Sequence, residues 1–374
     1  MINFISHLPR DLRSGGFSAM NAAACAALAA AYPLTYVGPI DPPVGSWDKA
    51  ASKALRVSGL GGDFPTYSTR RLGLIANEVE RLAAPNAALD FFHGLTMWSA
   101  RAPRRPYAAW SDCTFGDYID IFHDRARFRA DDLARIARAE GAWLRLARRV
   151  LFTSDWAAER AVSQYGLDPA QVASVGIFGE IEPPTQDAYA GGAAFAFVST
   201  DFEAKGGAVA LAAFRQLRDT YPEAKLTIVG ASPGDISNER GVSYAGYLRK
   251  EVAEEHQRFR EILGTAVAVV HPTRSDIAPL ILVEAALFGC PAIASRAFAI
   301  PELVEHGETG WLLDRPADPG ELAAAMKRLL DQPDDYPRLR ANAWRRARDL
   351  HGKDRFETRL RGVVADAMAE TALA

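Results

Sequence analysis

The sequence predicts an α/β protein that contains two parallel α/β domains. A chain of 374 residues is longer than one ordinary α/β core requires. Short apolar segments alternate with helical segments in two successive series. Between Val175 and Gly192 this pattern stops, and prolines and glycines accumulate as in a linker. We therefore expect one domain over residues 1–178 and a second over 179–355, with a final helix at about 356–374 that returns to the first domain.

Each series supplies strands separated by helices. The first begins with strand Ile2–Ile5, a loop that ends in Gly15-Gly16, a buried Ala-rich helix and strand Leu34–Val37. We expect further strands at 88–92, 107–110, 150–153, 195–199, 226–229, 266–270 and 292–294, and helices at 131–148, 209–220, 281–288 and 335–369. Ligands of such sheets bind where the carboxyl ends of the strands meet.

Composition excludes several classes of protein. The formal net charge of −3 does not suit a nucleic-acid-binding protein, which needs a basic surface. Cys25, Cys113 and Cys290 lie far apart, so neither a disulfide framework nor a zinc site is expected, and a reducing cytoplasm is the simplest location. The first residues lack the pattern of a signal peptide, and no apolar run is long enough to cross a bilayer.

The strongest chemical signal lies at 271–291, where an apolar strand leads through a polar loop into a helix. Asp276 precedes Glu284 by eight positions, so two carboxylates can flank the start of the helix. A helix N-terminus attracts anions such as a diphosphate, and carboxylates accept hydrogen bonds from sugar hydroxyls. The residues expected at this junction are Ile277, Ala278, Pro279 and Leu280. The spacing alone leaves an alternative open, in which Asp276 caps the helix and Glu284 is solvated.

This segment resembles the signature of retaining GT-B glycosyltransferases of family 4 (group 1), which is Glu-x7-Glu-Ala followed by Gly-x-Pro. Asp276 occupies the position of the first Glu, which in the family faces the donor sugar, and Glu284 that of the second, which binds the donor ribose. The resemblance implies two Rossmann-like domains with parallel sheets that face each other across a cleft. It also implies transfer of a hexose from a nucleoside-diphosphate sugar, most often a UDP- or GDP-sugar, to a hydroxyl acceptor.

A second segment, 197–207, resembles the family loop F-V-G-R-x4-K-G. Lys205 corresponds to the lysine that holds the donor diphosphate, and Thr200 stands where the family has arginine. The glycines at 206 and 207 permit a close backbone approach to phosphate. For an isolated K-G-G, a surface lysine at a helix start would be the better interpretation, but the position after a buried strand favours the phosphate site.

Weaker similarities complete the predicted site. Gly246 and Tyr247 resemble the loop that frames the donor base, and Gly15-Gly16 resembles the di-glycine loop that approaches the donor phosphates and the acceptor. His93 ends a strand where the family often has histidine, which suggests contact with the sugar or acceptor. These residues also fit structural roles, the glycines in flexible turns and His93 as a structural histidine.

Asp112 falls where many family members have a functional histidine near the reacting sugar. An acidic side chain there can orient a sugar hydroxyl or stabilise positive charge at the anomeric carbon. We therefore predict Asp112, Lys205 and Asp276 as the catalytic residues. Capping of the following helix is the alternative for Asp112.

Arginines are concentrated between residues 125 and 149, and acidic residues interrupt the run. A solvated helix face is one interpretation. Contact with anionic lipid, as in some relatives, is the other, and would place the protein peripherally at the inner face of the membrane.

Two patterns are missing from the sequence. Without Asp-x-Asp, the usual ligand pair of metal-dependent sugar transferases is absent, so we expect no metal and no cofactor. Without G-x-G-x-x-G, an NAD-dependent oxidoreductase is disfavoured. Two alternatives remain open. One is an inactive relative that binds nucleotide sugars or glycans, and the other is a nucleotide-sugar epimerase or phosphorylase of the same fold. The acceptor and the oligomeric state are not predicted.

Overall fold

The computed structural model describes residues 1–12 and 15–372. The chain divides into two compact units. Unit 1 comprises Met1–Ile177 together with the C-terminal segment from Asp354, and unit 2 comprises Phe178–Lys353. The predicted helix at 356–374 extends at its last two positions beyond the described residues.

Unit 1 contains one parallel six-stranded sheet. Its strands are β1 (Ile2–Ile5), β2 (Leu34–Val37), β3 (Leu89–His93), β4 (Tyr107–Ser111), β5 (Arg149–Phe152) and β6 (Val172–Ser174), in the order β2-β1-β3-β4-β5-β6. The intervening helices are α1 (Gly16–Ala29), α2 (Ser46–Val57), α3 (Thr69–Leu82), α4 (Phe115–Phe122), α5 (Ala130–Leu144) and α6 (Asp155–Tyr165).

Unit 2 repeats this architecture with a second parallel six-stranded sheet. Its strands are β7 (Ala194–Ser199), β8 (Lys225–Gly230), β9 (Val242–Gly246), β10 (Ala268–His271), β11 (Ala292–Ser295) and β12 (Gly310–Leu313), in the order β12-β11-β10-β7-β8-β9. Its helices are α7 (Gly207–Thr220), α8 (Ala253–Thr265), α9 (Leu280–Leu287), α10 (Ile300–Leu303), α11 (Pro319–Asp331) and α12 (Tyr336–Leu350).

The last helix, α13 (Lys353–Ala372), belongs almost entirely to unit 1. Phe356, Leu360, Val364 and Ala367 recur at helical spacing and are all buried, and the Phe356 ring lies 5.8 Å from that of Trp110. The prediction of one continuous helix over 335–369 is wrong in one respect. The chain leaves the helical conformation at His351-Gly352, between α12 and α13.

The predicted α/β class with parallel sheets is confirmed. Strands β1 and β2 have the predicted bounds, while β6, β9 and β12 were not predicted. In each sheet the strand order reverses once, beside β1 in unit 1 and beside β7 in unit 2. The loops that follow the strands at such a point diverge and leave room for a ligand.

No helix in the described part of the chain is both long and apolar enough to cross a bilayer.

Candidate functional site

In unit 2, the loops that follow β7 and β10 pack directly against each other. Gly206 precedes α7 with φ +82°, and a Cβ atom there would lie 2.2 Å from the carbonyl oxygen of Pro272. The Ser275 hydroxyl also donates to the carbonyl oxygen of Ala204 (3.2 Å). Glycine at position 206 therefore permits both the left-handed conformation and the close approach of the two loops.

The contact between these loops brings Lys205 and Asp276 together. Lys205 Nζ lies 3.0 Å from Asp276 Oδ2 and also donates to the carbonyl oxygen of Ser275. His271, at the end of β10, places Nε2 3.1 Å from the same carboxylate oxygen. Burial by itself would raise the pKa of Asp276, but the His271 hydrogen bond and the positive charge of Lys205 outweigh it and leave that pKa below its ordinary value.

Asp276 does not cap the following helix, so that alternative is wrong. Helix α9 begins at Leu280, its N-cap position is Pro279, and no side chain caps it. The carboxylate of Asp276 is turned instead towards Lys205 and His271. His271 was not singled out from the sequence, although a histidine at a strand end, five positions before an aspartate, was a usable signal.

Glu284 is buried in α9, with 3% of its surface exposed, so a solvated Glu284 is also wrong. Its Oε1 atom accepts hydrogen bonds from Lys250 Nζ and from the backbone N–H of Glu180 (3.3 Å). Both contacts fall on Oε1, and Oε2 has no hydrogen bond to any residue within 1–12 or 15–372. One carboxylate oxygen therefore orients the group while the other has unused acceptor capacity.

Lys250, which sequence reasoning missed, belongs to the loop between β9 and α8. Its ammonium lies 5.5 Å from the centre of the buried Phe259 ring. The neighbouring Arg249 forms an ion pair with Glu255 in the first turn of α8, and its backbone N–H donates to the same carboxylate (2.6 Å). The loop is thus tied to α8 on one side and, through Lys250, to Glu284 on the other.

The other donor residues predicted in unit 2 lie at or beyond the carboxyl ends of β7, β9 and β10. Thr200 is exposed directly after β7, Gly246 ends β9 with φ +79°, and Tyr247 is 52% exposed. In the loop before α9, Ile277 is buried and its carbonyl oxygen accepts from the backbone N–H of Ala299 (3.1 Å). The adjoining positions are Ala278, Pro279 and Leu280, of which Ala278 and Leu280 are partly exposed.

Unit 1 contains a cavity of about 390 Å³ whose wall includes Asp112. Ser111 Oγ donates to Asp112 Oδ1 (3.3 Å). Thr114, not Asp112, caps α4 by accepting the N–H of Asp117 (3.2 Å), so the capping alternative for Asp112 is wrong. The wall also includes His7, Phe17, Asp41, Thr66, Tyr67, Arg71, Gly94, Thr96 and Tyr118.

Phe17 directly follows the di-glycine loop and packs against His93. Gly15 has φ +88° and precedes α1, whose first residue is Gly16, so Phe17 enters the cavity wall from the first turn of this helix. The His93 ring lies 4.2 Å from the Phe17 ring and is fully buried behind it. Burial, with a smaller contribution from His7, holds the pKa of His93 well below the usual histidine value.

Comparison with known proteins agrees with this architecture. Residues 180–346 match the family described as Glycosyl transferases group 1. A D-inositol 3-phosphate glycosyltransferase of Acidothermus cellulolyticus is 29% identical over 249 residues, which cover 59% of this chain and 54% of that protein. The chain thus spans about half the length of that curated relative.

Two solved structures are similar over nearly their whole length. Sucrose-phosphate synthase from Thermosynechococcus elongatus has a TM-score of 0.70 at 18% identity, and covers 99% of each chain. Anabaena HepE in complex with UDP has a TM-score of 0.66 at 16% identity, with 97% of this chain and 99% of that chain covered. The chain therefore has the GT-B fold, with two parallel six-stranded sheets, and its segment 180–346 matches the group 1 glycosyltransferases.

Proposed function

We propose that this chain transfers a hexose from a nucleoside-diphosphate sugar to a hydroxyl acceptor, as a retaining, metal-independent enzyme of the family 4 type. One observation carries the proposal. Lys205 and Asp276, 71 positions apart in the sequence, form a 3.0 Å ion pair where the strand order of the unit 2 sheet reverses. A cation and a carboxylate at such a point suit a diphosphate and a sugar hydroxyl respectively.

In this proposal Lys205 stabilises the leaving nucleoside diphosphate. The bond between the anomeric carbon and the diphosphate oxygen breaks, and negative charge grows on that oxygen. The acceptor hydroxyl attacks from the same face, and its proton passes to the departing phosphate. Asp276 accepts a hydrogen bond from a hydroxyl of the donor hexose, and Asp112 stabilises positive charge at the anomeric carbon.

Glu284 binds the donor ribose through Oε2, since Oε1 is engaged by Lys250 and the Glu180 backbone. The loop at Gly246 and Tyr247 frames the base. Uridine is the first base to test, because solved structures of HepE contain UDP and UDP-glucose. The relative named D-inositol 3-phosphate glycosyltransferase supports a hydroxyl acceptor of polyol or sugar type.

The test replaces Lys205 with alanine. Loss of one preorganised electrostatic partner of the transition state lowers kcat by about 10²–10³-fold. Lys225→Ala is the matched control, because Lys225 is an exposed lysine at the opposite end of the same sheet and should leave kcat unchanged. The measurement is kcat with one UDP-sugar and a panel of polyol and glycan acceptors. A Lys205→Ala variant that turns over within about twofold of wild type would contradict the proposed diphosphate site.

The same assay separates the alternatives. Excess EDTA should leave transfer unchanged if Lys205 supplies the countercharge, and restoration of lost activity by Mn²⁺ would exclude metal independence. Two departures from the family pattern favour an inactive nucleotide-sugar-binding relative: exposed Thr200 in place of arginine, and Asp276 in place of glutamate. Such a protein would bind UDP without transferring or hydrolysing any donor. An epimerase would convert the donor without an acceptor.

A further inference from the structure

Helix α2 directs most of its apolar side chains, all except the partly buried Leu55, towards solvent. Trp47 and Val57 are each 80% exposed, and Leu60, just beyond the helix, is 67% exposed. The exposed residues recur at positions i, i+3, i+4, i+7 and i+10, which places them on one stripe of the helix: Trp47, Ala50, Ala51, Ala54 and Val57. A surface helix of a globular protein normally turns such a stripe to the core. The apolar stripe of α2 faces the solvent instead.

Polar contacts fix α2 in this orientation. Ser52 is fully buried on the opposite side of the helix and donates to the carbonyl oxygen of Asp63 (2.7 Å). Asp48 accepts a hydrogen bond from the Ser68 hydroxyl (2.8 Å). A Cβ atom at Gly62 would lie 2.4 Å from Ser52 Oγ, so only glycine admits this packing. The outward stripe is thus a consequence of specific inward contacts.

Three cations lie between the stripe and the packed side of α2. Lys49, Lys53 and Arg56 are spaced three and four positions apart and are all exposed. None of them forms an ion pair with a carboxylate among residues 1–12 and 15–372. The one acidic residue of α2, Asp48, is engaged with Ser68 on the inner side. The outer surface of the helix is therefore apolar along one stripe and positively charged beside it.

We propose that α2, together with Leu60, docks on the surface of an anionic lipid bilayer. Tryptophan is enriched at membrane interfaces, and an amphipathic helix with lysines beside its apolar stripe lies in the plane of such an interface. The cations attract acidic headgroups. The Arg-rich run at 125–149 is a weaker candidate, because Arg125, Arg129 and Arg135 are paired with Asp120, Asp63 and Asp132. This inference does not depend on the proposed sugar transfer.

The test is sedimentation of the full chain with vesicles of phosphatidylcholine alone or mixed with phosphatidylglycerol. Wild type should bind the anionic vesicles and be released by salt. Replacing Lys49, Lys53 and Arg56 together with glutamine should lower the partition coefficient on the order of 100-fold. Replacing Trp47 and Val57 with serine should lower it roughly tenfold or more. Unchanged thermal melting of both variants shows that α2 remains folded on the protein.

Two controls keep the assignment specific. Leu146→Ser removes an apolar residue of unit 1 that is 65% exposed, and Arg127→Gln with Arg138→Gln removes two exposed cations of the Arg-rich run. Both should leave vesicle binding unchanged. Loss of binding in the arginine control with no effect of the α2 variants would overturn the proposal. A wild type that ignores vesicles, and forms a dimer that Trp47→Ser dissociates, would overturn it too, because a second copy then covers the stripe.

Discussion

At the level of single side chains, the candidate donor site consists of two carboxylates, each held by a lysine from another loop. Asp276 is paired with Lys205, and Glu284 with Lys250. The side chain of Asp276 is 23% exposed and that of Glu284 4%. Removing one partner of a buried pair leaves an uncompensated charge, which costs more than the pair itself contributes. Both lysines therefore influence what the carboxylates can bind.

Lys250 provides a test of how Glu284 is oriented. If Oε2 binds the ribose, UDP should bind wild type about 10- to 100-fold more tightly than 2′-deoxy-UDP, the scale of a hydrogen bond to a charged group. Lys250→Met releases Oε1 and should reduce this ratio towards one, and Lys250→Arg should restore most of it. Calorimetric titration measures both ligands, with Lys225→Met as the control. Tighter binding of UDP to Lys250→Met would mean instead that Lys250 competes with the ribose.

Asp112 lines a cavity of unit 1 and leaves the capping of α4 to Thr114. Because a group that stabilises charge at the anomeric carbon acts in the transition state, Asp112→Asn should lower kcat by about 10²-fold with little change in the KM for the donor. Asp120→Asn, at an exposed ion pair of α4, is the control and should leave kcat unchanged. Equal kcat values for wild type and Asp112→Asn would remove Asp112 from the reaction.

At the level of secondary-structure elements, the loop ahead of α7 requires glycine at position 206. Gly206 combines positive φ with the contact to Pro272, whereas Gly234 has nearly the same φ (+81°) and no atom within 4 Å of its Cβ position. Alanine substitution at Gly234 therefore measures the cost of backbone strain alone, and substitution at Gly206 measures that cost together with the loss of the contact between the loops. Gly234→Ala should cost about 1 kcal/mol of unfolding free energy, and Gly206→Ala about 2–4 kcal/mol. Urea denaturation measures both. Equal losses would show that the loops do not need this close contact.

Strands buried on both faces were predicted readily from the sequence, and so was the partly exposed edge strand β2. β1 and β3 are continuous buried runs, and such runs stand out without any alignment. β9 is an edge strand with two exposed residues, and β6 has three residues, none of them fully buried, so neither has an apolar pattern to detect. The carboxylates were found because a motif spans them. Lys250 was missed because only tertiary packing brings it to Glu284, whereas the position of His271 at a strand end, five residues before Asp276, was visible in the sequence.

At the level of the whole molecule, all proposed donor residues except the Gly15-Gly16 loop lie in one continuous stretch of the chain. Unit 2, Phe178–Lys353, has its own sheet and its own hydrophobic core. It contains Thr200, Lys205, Lys250, Asp276 and Glu284. Unit 1 is discontinuous, since it needs the buried stripe of α13 from the far end of the chain. Truncating the chain at both ends therefore yields a complete unit 2, whereas no single continuous fragment contains all of unit 1.

This difference leads to a test of where the donor binds. A fragment of residues 178–353 should unfold in one cooperative transition, because it keeps a complete six-stranded sheet. It should bind UDP within about tenfold of the full chain, since a tenfold change corresponds to about 1.4 kcal/mol, roughly one hydrogen bond. It should transfer no sugar, because Asp112 and the unit 1 cavity are absent. Calorimetry with the fragment, its Lys205→Ala variant and the full chain measures these affinities. If the fragment folds but binds no UDP while the full chain does, residues of unit 1, such as the Gly15-Gly16 loop, supply most of the donor affinity.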